Sequence, residues 1–247
     1  MEFDLTGKRA LVTGSSRGIG SAIALELARG GADIAVHCAG NIARARETAD
    51  EIAAMGRRAE VFQTDLTNLE EAAGLMAQVG EVDILVLNAS VQIKKDWESL
   101  TVSDFRQQVD CNMLASLLLI QGAVPAMRKK GWGRIVTIGS VQEAKPHPEM
   151  LVYAASKAGQ TAFVRSLAGQ LAPDGITVNN VAPGVINTDR NREALSDEAY
   201  ARVVSSLIPM GFYGEKEDCA GIVRLLCSKE GRYITGQSIY VDGGKSL

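Results

Sequence analysis

Seven short apolar runs recur along the chain, at residues 9–13, 33–38, 59–64, 83–88, 134–139, 177–181 and 238–241. Helical spacing fills the gaps, over roughly 19–30, 42–55, 69–79, 102–130, 151–172 and 216–228. This alternation leaves few architectures open. Each strand-helix-strand step is a right-handed crossover, so the strands end parallel in one sheet with helices on its faces. Most of the runs are continuous, as in strands covered on both sides. The pattern predicts one α/β domain over residues 1–247, a doubly wound parallel sheet of about seven strands flanked by helices. A chain of 247 residues is long enough to bury such a core.

Two segments interrupt the rhythm. Residues 140–150 carry Pro146 and Pro148, and residues 187–214 form a long insertion between the sixth and seventh runs. Both would leave from the carboxyl ends of strands, where ligands sit in an open parallel sheet, and 187–214 reads as a substrate loop.

Charge and cysteine usage exclude several roles. With 26 basic against 29 acidic side chains the formal charge is −3, and the pI is 5.6, so the broad positive field that nucleic acids require is missing. Cys38, Cys111, Cys219 and Cys227 form no Cys-x-x-Cys pair, and His37 and His147 are the only histidines. Neither a disulfide framework nor a metal site is expected, and a reducing cytoplasm is the compartment this implies. Residues 1–7 carry Glu2 and Asp4 and no long apolar stretch, which argues against an export signal. The apolar run 114–120, broken by Ser116, is too short for a membrane span.

The first run leads into Thr13-Gly14-Ser15-Ser16-Arg17-Gly18-Ile19-Gly20 and then a helix. Glycines let a main chain approach a diphosphate closely, and a helix amino terminus offers free N–H groups and a positive dipole end. The spacing is Gly-x-x-x-Gly-x-Gly, so the usual dinucleotide fingerprint is not matched strictly, and a plain tight turn would use the same residues. Position between first strand and first helix favours the phosphate reading, and with it a Rossmann-type site. The second run ends in Val36-His37-Cys38-Ala39-Gly40-Asn41 without the carboxylate that would grip a ribose 2′-hydroxyl. With Arg17 in the loop, NADP(H) is favoured and NAD(H) stays open; no second arginine is expected to reinforce Arg17.

Tyr153 and Lys157 stand four apart in a helical stretch, one turn from each other on one face. A phenol is a poor acid or base at neutral pH, and a neighbouring ammonium would lower its pKa. No other tyrosine here has lysine four residues on. Ser140 ends the fifth run, where its hydroxyl could bond a substrate oxygen as charge develops, or simply cap a loop.

In these motifs the sequence resembles the short-chain dehydrogenase/reductase family in its compact form, from Gly7 to Gly244. The resemblance implies a catalytic tetrad of Asn112, Ser140, Tyr153 and Lys157. It implies cofactor contacts from Gly14, Ser16, Arg17, Gly18, Ile19 and Gly20, from Asp65 with Leu66, and from Asn88, Ala89 and Ser90. Tyr153 and Lys157 would also touch the cofactor, as would Pro183, Gly184, Ile186 and Thr188. Hydride transfer between nicotinamide and a secondary alcohol or carbonyl would follow, with Tyr153 exchanging the proton, Ser140 orienting the oxygen and Lys157 holding the ribose. Asn112 would anchor a water chain, or brace a kink in the 102–130 helix. Ser90 departs from the family's glycine and raises the question of strain there.

Ser140, Gln142 and Tyr153 are the expected substrate contacts, in a rim completed by Gln92, Glu143, His147, Asn187, Arg190 and Asn191. That polar set suits a small sugar, polyol or hydroxy-carbonyl compound, and residues 140–143 resemble the glucose dehydrogenases of the family. A 3-oxoacyl-thioester reductase is the alternative, with Lys129, Lys130 and Arg165 as a docking face for an acidic carrier. A dinucleotide sensor without turnover is the reading from another class. Small residues at Ala154, Ala155, Ala158, Gly159 and Ala162 permit close helix contact, and the resemblance implies a homotetramer.

Overall fold

The computed structural model describes residues 3–247. Met1 and Glu2, part of the segment read against an export signal, lie outside the described residues. The chain runs β1 (Arg9–Val12), α1 (Gly18–Arg29), β2 (Asp33–Cys38), α2 (Ile42–Ala54), β3 (Ala59–Gln63), α3 (Leu69–Val79) and β4 (Ile84–Leu87). There follow α4 (Val102–Val109), α5 (Ala115–Lys130), β5 (Gly133–Ile138), α6 (Leu151–Leu171) and β6 (Ile176–Pro183). Then come β7 (Ile186–Asn187), α7 (Asp189–Leu195), α8 (Glu198–Ser206), β8 (Gly214–Glu215), α9 (Lys216–Cys227) and β9 (Ser238–Val241).

Seven strands form one parallel sheet in the order β3-β2-β1-β4-β5-β6-β9, the doubly wound topology that the alternation predicts. Register is fixed at the centre by Ala10 opposite both Ile34 and Ile84. The middle strands β4, β5 and β6 are buried along their whole length, whereas β3 and β9, at the edges, are only partly covered. One face of the sheet is packed by Ile23 and Leu27 of α1, Ile52 of α2 and Val223 and Leu226 of α9. The other is packed by Leu75 of α3, Leu119 and Ala123 of α5 and Val164 and Leu171 of α6. Strand order reverses between β1 and β4, which opens a crevice at their carboxyl ends.

Two expected elements differ. Residues 102–130 are not one regular helix: a π turn at Asp110–Leu114 separates α4 from α5. As a unit Val102–Lys130 is long and apolar enough to cross a membrane by length and composition, which the broken run at 114–120 does not suggest. In the fold the α5 face carrying Leu119 and Ala123 covers the sheet. The 187–214 insertion is not an open loop. It holds α7 and α8, and its base is closed where Ile186 and Asn187 pair with Gly214 and Glu215.

Candidate active site

The crevice is held open at its floor by a clamp between two strand ends. Thr13 Oγ1 accepts from the Asn88 and Ala89 N–H groups at 2.9 and 3.0 Å, and Asn88 Nδ2 donates to the Thr13 carbonyl at 2.9 Å. Above it the chain turns through positive φ at Gly14 and Gly18 into α1. A Cβ on Gly20 would overlap the Gly14 carbonyl and stand 2.5 Å from Asn88 Nδ2, so only glycine permits this closeness. No side chain caps α1 and no acid lies in its first turn. Its first N–H groups and positive dipole end are left for an anion, and the residues present fit a dinucleotide diphosphate.

His37, on β2, braces this loop. Its Nδ1 accepts from the Gly14 N–H at 3.0 Å, and Nε2 lies 3.0 Å from the Thr64 carbonyl, which fixes the tautomer protonated at Nε2. Burial holds the imidazole pKa down to about 4 from 6.5. The unfolded chain therefore takes up a proton that the folded one refuses as pH falls from 6.5 towards 4, and stability is lost across that window. The full contribution is about 3 kcal/mol. His37→Asn, whose amide oxygen can replace Nδ1, should flatten the fall in melting temperature between pH 6.5 and 4; an unchanged slope would remove His37 from this account.

Beside the loop, Asp189 at the start of α7 gathers three guanidinium groups. Arg44 pairs with its Oδ2, Arg17 stands 4.0 Å from the same oxygen, and Arg192 is 2.7 Å from Oδ1. The bond from Arg44 is the main reason the Asp189 carboxyl lies below its ordinary pKa. A second arginine does therefore follow β2, contrary to expectation. Arg44 sits in the first turn of α2, where the Asn41 side chain caps its N–H.

Tyr153 and Lys157 lie on one face of α6, almost wholly buried. Burial pushes the Tyr153 phenol above its ordinary pKa, opposed by the Arg190 charge and by the Ser140 and Ser90 hydroxyls. The cation that pulls the phenol down is thus chiefly Arg190, where spacing pointed to Lys157. Lys157 Nζ donates to the Ile138 carbonyl at 2.8 Å and to Gln160 Oε1 at 2.9 Å. It stands 5.7 Å from the Tyr153 ring centre. Burial, and after it the charge of Arg190, hold its ammonium pKa at about 7.

Behind the pair runs a closed polar chain. Gln160 Nε2 donates to Ser116 Oγ at 3.0 Å, Ser116 Oγ to the Asn112 carbonyl at 2.9 Å, and Asn112 Nδ2 to Ser156 Oγ at 2.9 Å. Ser156 Oγ in turn donates to the Tyr153 carbonyl at 2.7 Å. The Asn112 amide also exchanges bonds with both main-chain groups of Val91. It braces the π turn and ties it to α6.

One cleft of about 750 Å³ is lined by every residue expected to meet cofactor or substrate, including Asp65, Leu66, Pro183, Ile186, Thr188 and Gln142. Asn112 stands behind its wall. Asp65 turns Oδ1 into its own loop, accepting from Thr67. Glu143 and Asn187 leave the expected rim. The Glu143 carboxylate accepts from Thr161 at 2.8 Å and Ser238 at 2.7 Å between the sheet's carboxyl ends, and Asn187 bonds Glu215. Ser90 carries no strain, since Phe3 is the only non-glycine residue with positive φ among the described residues.

The family model for short chain dehydrogenases matches residues 8–199. The chain belongs to that family. Among curated relatives it is 38% identical to the 3-oxoacyl-[acyl-carrier-protein] reductase FabG of Rickettsia bellii, over 98% of each chain. It is 40% identical to the FabG of Escherichia coli K12, over 99% of this chain and 98% of the other. A solved structure described as an NAD(P)-dependent gluconate 5-dehydrogenase from Beutenbergia cavernae, with NADP bound, superposes with a TM-score of 0.93 at 35% identity over 99% of each chain. A 3-oxoacyl reductase from Agrobacterium tumefaciens C58 with NADP bound gives 0.94 at 37% identity, over 98% of this chain and 95% of that one.

This short-chain dehydrogenase holds three side chains near its cleft that sequence alone did not single out. His37 could have been found as a polar residue at a buried position of a central strand, and Arg44 by counting three residues past the strand-end turn. Gln160 lies one turn beyond Tyr153-x-x-x-Lys157, where the helical repeat returns to the same face.

Proposed function

We propose that this oxidoreductase transfers a hydride between NADP(H) and a secondary alcohol or carbonyl of a small hydroxylated substrate. The observation that carries the reading is the Tyr153 phenol facing Ser140 in the same cleft that the uncapped amino terminus of α1 enters. When bound, the dinucleotide supplies or accepts the hydride at its pyridine ring. Tyr153 exchanges the proton with the substrate oxygen at Oη, and Ser140 orients that oxygen through its hydroxyl. Lys157 holds ribose hydroxyls, its Nζ positioned by donating to Ile138 O and Gln160 Oε1. Asn112 acts as a brace, because its amide is bonded to Val91 and Ser156; its carbonyl, already accepting from Ser116, can also anchor a water.

Arg17 and Arg44, with no acid at the end of β2, support NADP over NAD. An anionic 2′-phosphate would compete with Asp189 for both guanidinium groups. Arg44→Ala should raise the KM for NADPH about tenfold and leave that for NADH within about twofold; equal changes would exclude Arg44 from the choice. The reading is tested by following NADPH absorbance with ketones, ketoses and oxoacyl thioesters and that of NADP⁺ reduction with polyols and sugar acids. No turnover with tight dinucleotide binding would leave a sensor.

The carrier-linked thioester reading draws on the FabG relatives. Of the three residues expected to dock an acidic carrier, Lys130 pairs with Asp83 at 3.1 Å, while Lys129 and Arg165 are exposed. The same proposal takes the protein as a cytoplasmic homotetramer acting on a small molecule, away from membranes and nucleic acid. Exposed Ala155, Ala158 and Ala162 form an outward stripe on α6, and exposed Val102, Phe105 and Leu151 supply apolar surface for subunit contact. Gly159 serves within the chain instead, since a Cβ there would meet Met113 at 2.5 Å.

A further inference from the structure

Arg190, in the first turn of α7, reaches over the cleft. Its Nη2 donates to the Ser90 carbonyl at 3.2 Å and to Ser90 Oγ at 3.4 Å, and its Nη1 to Gln92 Oε1 at 3.3 Å. All three acceptors are neutral and the bonds are long, and the guanidinium also hydrogen-bonds the Tyr153 hydroxyl. Among the described residues no carboxylate lies within ion-pair distance of this guanidinium, whereas Arg17, Arg44 and Arg192 share Asp189 next door. The charge nonetheless acts directly on Tyr153 and Lys157. An uncompensated, planar five-donor cation is thus held against the acid-base pair at the mouth of the site.

We infer that Arg190, oriented by Ser90 and Gln92, is the subsite for the carboxylate of the substrate, which makes the substrate a small oxo or hydroxy acid. The inference rests on the hydride-transfer reading above and narrows it. A guanidinium fork matches a carboxylate with two parallel charge-assisted bonds, and long bonds to neutral oxygens are readily exchanged for them. A neutral polyol would leave the charge without a partner. A long acyl chain would lay apolar surface against it, at a desolvation cost. Ser90 gains a purpose here as well: its hydroxyl steadies the fork where a glycine could not.

The test uses two substrate pairs that differ in charge, gluconate against glucitol with NADP⁺ and acetoacetate against methyl acetoacetate with NADPH. The wild type should prefer the acid of each pair in kcat/KM by at least about tenfold. Arg190→Ala should lower that acid-to-neutral ratio by about tenfold or more, and Arg190→Lys should recover part of it. An unchanged ratio in Arg190→Ala would overturn the inference. So would a rise confined to the dinucleotide KM, which would assign Arg190 to the cofactor. Calorimetry of gluconate binding to Tyr153→Phe protein, with and without Arg190→Ala, separates the two readings. Arg190-dependent binding together with a wild type that turns nothing over would defeat the hydride reading and uphold the subsite. Turnover without acid preference would defeat the subsite alone.

Discussion

Tyr153→Phe should lower kcat by about 10²- to 10⁴-fold, the range that a positioned proton donor contributes. The dinucleotide dissociation constant should stay within about threefold, because the ring still fills the cleft wall and only one hydroxyl contact is lost. Tyr153 is 5% exposed, so phenylalanine replaces it without opening a cavity, and the structure should survive. Stopped-flow single turnovers separate chemistry from binding. Activity close to wild type would end the assignment of proton transfer to this side chain. The electrostatics add a pH signature. Burial raises the phenol pKa and Arg190 opposes it, so Arg190→Ala should move the alkaline limb of the kcat profile upward.

Gly20→Ala is the second large effect, and it acts on the cofactor cradle. The added methyl would press on the Gly14 carbonyl and on Asn88 Nδ2, both fixed by the clamp at Thr13. Neither can yield without moving the turn, so stability should fall by about 1–3 kcal/mol and dinucleotide affinity by tenfold or more. Gly74→Ala in α3 is the control, since its Cβ would meet nothing within 4 Å. That substitution should gain about 0.5–1 kcal/mol from helix propensity. Urea unfolding and fluorescence titration with NADPH read both quantities. Equal behaviour of the two variants would show that the close approach at Gly20 matters little.

The sheet was legible because its signal is local: a strand buried on both faces must be apolar throughout, as Ile84–Leu87 is. Tyr153 and Lys157 were legible for the same reason, their spacing being one helical turn. What escaped were properties of pairs distant in the chain. Glu143 reads as a rim residue in the sequence, whereas Thr161 and Ser238 draw its carboxylate inward. In the sequence Arg190 is one polar residue among several, and its place beside Tyr153 depends on the 36 residues between them folding through α6, β6 and β7. The helical form of 187–214 is a matter of tertiary closure, since Ile186–Asn187 must first pair with Gly214–Glu215. Asp189 meeting Arg44 spans 145 positions and has no counterpart in any short window.

The π turn at Asp110–Leu114 has an outcome for how this segment can evolve. One surplus residue there advances everything downstream by about 100° around the axis. Removing any single position between Asp110 and Leu114 would let the segment wind as an unbroken helix, and either the Asn112 amide would swing away from Val91 or Leu119 and Ala123 would rotate off the sheet. Point replacements spare that geometry and deletions do not. Segment length here therefore constrains the fold as strictly as any side chain does.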